Sequence, residues 1–361
     1  MHRLEQLIAL PGLAGREDAV IAFMREALAP LADEVSVDWL GNVIARIGQA
    51  STRPRVMVFA HMDTLGLLVR KIEPDGFLRV QRLGGVPEKA LQAQRMLVHG
   101  RHGAIAGLVG SRSHHLTPVE DKIRGLTVDQ LYLDIGAGSR QAALAMGVQV
   151  GSGVTYAPQV QRLGVDGLCG TYLDNRAGCW TLLRLAERLH SAPVPPTVYI
   201  VATVQEEFNL QGALPVAKAI QPDLALCLDI ALATDTPELK EQGEVKLGAG
   251  PVIQTYTFHG RGTLAGLLPN PKLVDYVTAV ADEAGIPTQF GVTLGALTDA
   301  SYLHLAGGRG QPGTPALDLG FPTRYTHSPV ESCSLRDLDW LLNLLYATLG
   351  SLTQMPDLRR G

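Results

Sequence analysis

The chain has 361 residues, 46% of them hydrophobic and 18% charged, with a formal net charge of -4 and a pI near 6.2. That length suits one large domain or two, and a weakly acidic chain with no basic block and no aromatic stacking motif gives no footprint for nucleic acid. No apolar run approaches the ~18 residues a membrane helix needs, and residues 4–10, interrupted by Glu5 and Gln6 and followed by Pro11-Gly12, lack the apolar core of a signal peptide.

Residues 17–28 place Val20, Ile21, Phe23, Met24 and Leu28 at helical spacing, and Pro30 ends the pattern. Residues 35–40 and 42–47 predict a hairpin turning through Gly41-Asn42, so the first 50 residues read as a cap on a sheet. Residues 56–60 predict a buried strand that delivers His61-Met62-Asp63 at its end, where a histidine and an aspartate suit a metal ligand and its supporting carboxylate. A loop histidine that is merely hydrogen-bonded is the simpler alternative.

From Gly66 to Gly164 short alternating segments at 77–80, 96–99 and 104–109 are separated by glycines, with helical periodicity only at 140–146. This predicts a small β-rich domain, residues 67–164, inserted into a catalytic α/β domain made of 1–66 and 165–361. His99, His102, His114 and His115 lie in the insertion without clustered acids or cysteines and read as surface or loop residues. Cys169, Cys179, Cys227 and Cys333, scattered and with no C-x-x-C pair, read as buried or incidental thiols in a reducing cytoplasm.

After Gly170 the α/β pattern resumes. Asp174-Asn175-Arg176 precedes a helical stretch with Leu182, Leu183, Leu185, Ala186 and Leu189 on one period, so Asp174 is either its N-cap or a site residue. The run that opens at Thr197, after Pro195-Pro196, is rich in Val and Ile and ends in the adjacent acids Glu206 and Glu207, as a strand buried in a sheet and opening at its carboxyl edge would. A helix at 213–220, a strand at 224–228 ending in Asp229, a strand at 252–258, a helix at 272–284, a strand at 289–294 and a short helix near Asp299 follow. A Gly- and Pro-rich loop at 307–315 precedes 316–321, which leads to His327, and the last helix opens with Ser334 and Asp337 in capping-box spacing. The fold class is therefore α/β, a mixed and mostly parallel sheet with helices on both faces, plus the inserted β-rich domain.

The predicted edge of the sheet collects His61, Asp63, Asp174, Glu206, Glu207, Asp229 and His327. Histidines and carboxylates without cysteine suit two catalytic ions of Zn, Co or Mn type, one carboxylate bridging them. Acids packed so densely repel one another unless cations are present.

Taken together, Ala60-His61-Met62-Asp63-x-x-Gly66, Leu173-Asp174-Asn175-Arg176-x-Gly178, Gln205-Glu206-Glu207, Leu228-Asp229 and Pro322-Thr323-Arg324-Tyr325-x-His327-Ser328 resemble the two-metal aminopeptidases that include glutamyl, deblocking and tetrahedral aminopeptidases, some members of which carry the label endoglucanase. The resemblance runs from the first helix to the last and implies a zinc-peptidase-like fold. It implies one ion on His61 and Asp229, the other on Glu207 and His327, and Asp174 bridging them. Asp63 would orient His61, and Glu206 would be the general base. The implied activity is cytoplasmic, metal-dependent removal of amino-terminal residues from short peptides by a homo-oligomer, often a dodecamer, assembled through the inserted domain. Thr64, where many relatives carry an acid, and the long 307–315 loop depart from the pattern and bear on specificity. A related amidohydrolase (dipeptidase, deacylase or carboxypeptidase), an endoglucanase and a metal-binding protein without catalysis are the alternatives.

Overall fold

The computed structural model describes residues 1–260, 265–307 and 313–360. Contacts divide the chain into two compact units, one of Met1–Asp63, Val160–Thr326 and Val330–Gly361, the other of Thr64–Gln159 with His327–Pro329. Val160–Leu163 pairs with Gly167–Gly170 in the large sheet of the first unit.

That unit is organised by a twelve-stranded mixed sheet. Its centre consists of Thr197–Thr203, Arg55–His61, Leu224–Leu232 and Ala316–Arg324, which lie side by side in that order and run parallel. These are the runs without polar alternation, and nearly every side chain in them is buried, as expected where both faces are covered. On one face, helices His2–Ala9, Asp18–Leu28, Leu173–Ser191, Pro271–Glu283 and Leu335–Ser351 pack Leu7, Met24, Leu185, Val277 and Leu341 into one core with Val58, Ile200, Leu226 and Leu319. On the other, Ala213–Ile220 and the 3-10 turn Asp299–Leu305 cover Met57, Phe59, Val201 and Cys227. The hairpin Glu34–Val37 and Val43–Ile47 joins Thr197–Thr203 as an antiparallel extension, so it belongs to the sheet itself.

The earliest central strand, Arg55–His61, lies between two that come later in the chain. Their carboxyl ends therefore share one edge at a switch in strand order, where α/β sheets bind ligands. A detail of register opens that edge further. Arg55–His61 pairs with Leu224–Leu232 only from Leu224 opposite Val56 to Cys227 opposite Phe59, whereas pairing with Ala316–Arg324 continues to Leu232. Beyond Cys227 the two strands part. Asp229, expected just past the end of a strand, is instead inside one and faces this split.

The second unit is a closed six-stranded barrel of Gly66–Ile72, Leu78–Leu83, Leu133–Asp134, Gly103–Val109, Arg95–Gly100 and Gly153–Tyr156, in that spatial order. Leu67, Val69, Leu78, Val80, Met96, Val98 and Val154 are among its buried side chains. Closure removes the strand edges that an open sheet of this size would expose.

The expected capping box is absent. Ser334 is the N-cap of the last helix but makes no side-chain capping bond, and the Asp337 carboxylate accepts the N–H groups of Gly248 (2.7 Å) and Gly250 (2.8 Å) instead of completing a capping box. Of the 307–315 loop, residues 308–312 lie outside the described residues. Asp337→Ala would orphan two backbone donors beside a buried helix start and should lower the unfolding free energy by about 1–3 kcal/mol, measured by urea denaturation. An unchanged midpoint would mean that the Gly248–Gly250 loop is held by other contacts.

Candidate metal centre

His61 ends its strand and is buried. Its Nδ1 faces the Asp63 backbone carbonyl at 3.3 Å and the Asp63 Oδ1 at 3.5 Å, an arrangement that puts the ring proton on Nδ1. Nε2 then looks into the strand split, 3.0 Å from Asp174 Oδ1 and 3.9 Å from both Asp229 Oδ1 and Glu206 Oε2. Three carboxylates converging on one buried nitrogen lone pair require positive charge at that point, from a proton or from a cation. His61, Asp174 and Asp229 each offer one ligand atom within 4.8 Å of the others, so the donor set, an imidazole nitrogen and carboxylate oxygens, fits a divalent ion.

The electrostatics follow from this crowding. Burial opposes charge on His61, but Glu206, Asp174, Asp63 and Asp229 outweigh it and hold its proton affinity well above the ordinary range. Burial also raises Glu206 and Asp229 well above the usual carboxylate range, against the pull of His61, and neighbouring acids add to the effect.

Local structure explains why these side chains point inward. Asp174 is no N-cap. Its backbone is non-helical (φ -78°, ψ 105°), its N–H donates to Glu331 Oε2 (2.9 Å), and its Oδ2 accepts the Thr326 hydroxyl (3.2 Å). The turn is stabilised by the next residue. Asn175 Oδ1 accepts the Gly178 N–H (3.1 Å), and Asn175 Nδ2 donates to the Leu228 carbonyl (2.7 Å) where the strands part. A Cβ at position 178 would stand 2.0 Å from Asn175 Oδ1, so the glycine of the Asp-Asn-Arg-x-Gly motif is needed for close approach. Glu206 and Glu207 follow Gln205, whose φ is +55°. Their N–H groups donate to the two oxygens of Asp63 (2.9 and 3.0 Å), so Asp63 fixes both glutamates as well as facing His61. Glu207 offers a carboxylate oxygen within 4.8 Å of one from Asp174. His327 lies in the three-residue segment grouped with the barrel unit, and its Nδ1 donates to the Gly85 carbonyl (3.1 Å), which leaves the lone pair on Nε2.

Several residues here escaped sequence reasoning. Glu17, in the first turn region of an ordinary amphipathic helix, is buried and accepts the N–H of Gly15 (2.8 Å) and of Gln205 (3.2 Å). Arg176 is fully buried; burial lowers its proton affinity, while charges including those of Asp63 and Glu17 sustain it. Asp299 is buried, accepts the Thr203 hydroxyl, and is pushed up to about 7 chiefly by burial. Each is an acid or base at a loop or helix start, indistinguishable by sequence from a surface residue.

This buried imidazole–carboxylate cluster lies at the switch point of an α/β sheet, where such sheets bind ligands, and its donors are of the kind that hold a divalent ion. Residues 41–344 match the family model described as M42 glutamyl aminopeptidase. A lysyl aminopeptidase of Pyrococcus furiosus is 34% identical over 357 residues, 98% of this chain and 97% of the relative. A TET aminopeptidase from a marine sediment archaeon of the Thaumarchaeota superposes with a TM-score of 0.90 at 32% identity, covering 98% and 96% of the two chains. The TET1 peptidase of Pyrococcus horikoshii, described as assembling into a tetrahedron or a large octahedral shell, gives 0.86 at 29% identity over 97% of this chain and 99% of that one. The chain belongs to the M42 aminopeptidase family and is a peptide hydrolase.

The Glu17 contacts give a test that needs no substrate. Burial first, then the Asp63 charge, raises Glu17 from its ordinary 4.5 to about 7. A carboxyl whose folded affinity exceeds its unfolded one binds its proton more tightly in the native state, so the protein loses stability as pH rises from 4.5 to 7. Glu17→Gln, which cannot ionise, should lose up to about 3 kcal/mol less unfolding free energy than wild type across that window. Parallel pH profiles from urea titrations would contradict the assignment.

Proposed function

We propose that the chain is a two-metal aminopeptidase that removes amino-terminal residues from short peptides, with Zn as the first candidate ion and Co or Mn as substitutes. The observation that carries this reading is the convergence of Asp174, Asp229 and Glu206 on His61 Nε2. His61 and Asp229 would hold one ion and Glu207 and His327 the other, Asp174 would be shared between them, and Asp63 would hold the His61 ring. When bound, such ions polarise the scissile carbonyl and acidify a water.

The chain's own residues do the rest. Glu206, with 10% of its side chain exposed and its N–H tied to Asp63, is the base that takes the proton of the attacking water. Its buried setting raises its proton affinity, which suits it to keep that proton until the departing amine collects it. Glu207, adjacent in sequence, turns its side chain toward Asp174 instead, so the two acids divide base and ligand roles.

The reading extends to location and assembly. The cysteines Cys169, Cys179, Cys227 and Cys333 are free and buried, in keeping with a reducing cytoplasm. Likeness to a peptidase that forms a tetrahedron supports a homo-oligomer, with a dodecamer as the proposed form. No helix among the described residues is long and apolar enough to cross a membrane.

Glu206→Gln should keep its bound metal while kcat on peptide p-nitroanilides falls by roughly 10²–10⁴-fold. Elemental analysis and turnover in the same preparation decide this; full activity would remove Glu206 as the base. Sedimentation should give a mass several times that of one chain, and a monomer would refute the assembly.

A further inference from the structure

The barrel unit differs from the rest of the chain in charge. Residues 64–159 carry eleven Lys and Arg against seven Asp and Glu, a formal +4 within a protein whose total is -4. Three of those acids are already engaged: Glu73 with Lys71 and Arg79, Glu88 with Arg82, and Asp129 with Arg70. Arg112, Lys122 and Arg124 make no ion pair among the described residues. All three line one cleft of about 880 Å³, together with His114, and no carboxylate is among its described lining residues. The Lys122 ammonium donates to His114 Nε2 at 3.4 Å on the same wall.

Like charges gathered in one concavity repel one another, and they attract small anions into it. Two guanidinium forks match the oxygens of a phosphate in pairs, and a neighbouring ammonium adds a point charge. Another part of the wall is less polar. Tyr132 and Leu126 line it, and the Tyr132 ring is held edge-on by Phe77 (centroids 5.1 Å apart), with the Arg79 guanidinium 6.0 Å from its centre. The volume is that of a cleft for a small molecule and not of a track for an extended chain.

We propose that this cleft is a binding site for a small phosphate-bearing anion with more than one negative charge, held through Arg112, Lys122 and Arg124, its less polar body against Tyr132 and Leu126. The site lies wholly within the barrel unit and uses no residue assigned to the metal centre.

The test is calorimetric titration of the assembled protein with inorganic pyrophosphate at about 50 mM salt, where screening is weak enough for the contacts to register. Wild type should bind saturably. The exposed pair Arg112→Gln/Arg124→Gln should weaken binding at least about tenfold while leaving the melting temperature and peptidase activity unchanged. Lys122→Gln should weaken it separately. Arg162→Gln, an exposed arginine on Val160–Leu163 in the other unit, should leave it unaltered. No saturable binding, or equal binding by all variants, would overturn the site. Tighter binding of a Glu-rich peptide or of citrate than of pyrophosphate would overturn the phosphate assignment.

Discussion

The parting of Leu224–Leu232 from Arg55–His61 after Cys227 is the constraint on which the larger unit's candidate site depends. Two parallel strands that stayed paired would fill the edge of the sheet with backbone hydrogen bonds and leave no room between His61 and Asp229. Their separation makes the crevice and also leaves polar backbone groups to be satisfied, and Asn175 meets that need at the Leu228 carbonyl. The Asp174-Asn175-Arg176 segment thus contributes a carboxylate to the crevice, a seal for its wall and a buried cation behind it.

Such a site is costly without a cation. Moving an ion out of water into a protein interior costs several kcal/mol even after relaxation. Here Asp174, Asp229 and Glu206 surround one imidazole, and the buried Asp63 and Glu17 are among the charges that act on the buried Arg176. Backbone strain gathers in the same segments, with non-glycine residues at positive φ at Tyr172, Gln205 and Tyr325. Each costs on the order of 1–3 kcal/mol and persists only where surrounding contacts require it. Such expense at one edge of an otherwise apolar sheet accords with a site built for binding and chemistry.

Much of this is legible in the residues. The central strands announce themselves as apolar runs, and the polar residues that interrupt them, His61, Asp63, Glu206 and Glu207, stand where the chain leaves the sheet. Asp229 was legible as a residue but not in its setting, because its strand continues to Leu232 and only the register shows where the neighbour departs. Glu17, Arg176 and Asp299 were hidden for another reason. Their burial comes from partners far away in sequence, such as Gln205 for Glu17 and Thr203 for Asp299, and no local pattern encodes that. Asp337 shows the opposite failure, since its spacing from Ser334 fits a cap while the Gly248 and Gly250 N–H groups compete successfully for its carboxylate. In the barrel unit alternation and glycines revealed strands, but closure depends on pairings between Gly66–Ile72 and Gly153–Tyr156, which are far apart in the chain.

Anomalous diffraction at the zinc edge, from crystals of the metal-loaded protein, tests the central claim most directly. The account predicts a peak in the strand split within bonding distance, about 2.0–2.2 Å, of His61 Nε2 and carboxylate oxygens of Asp174 and Asp229. Zinc bound only elsewhere, with His61 still hydrogen-bonded directly to Asp174, would contradict it.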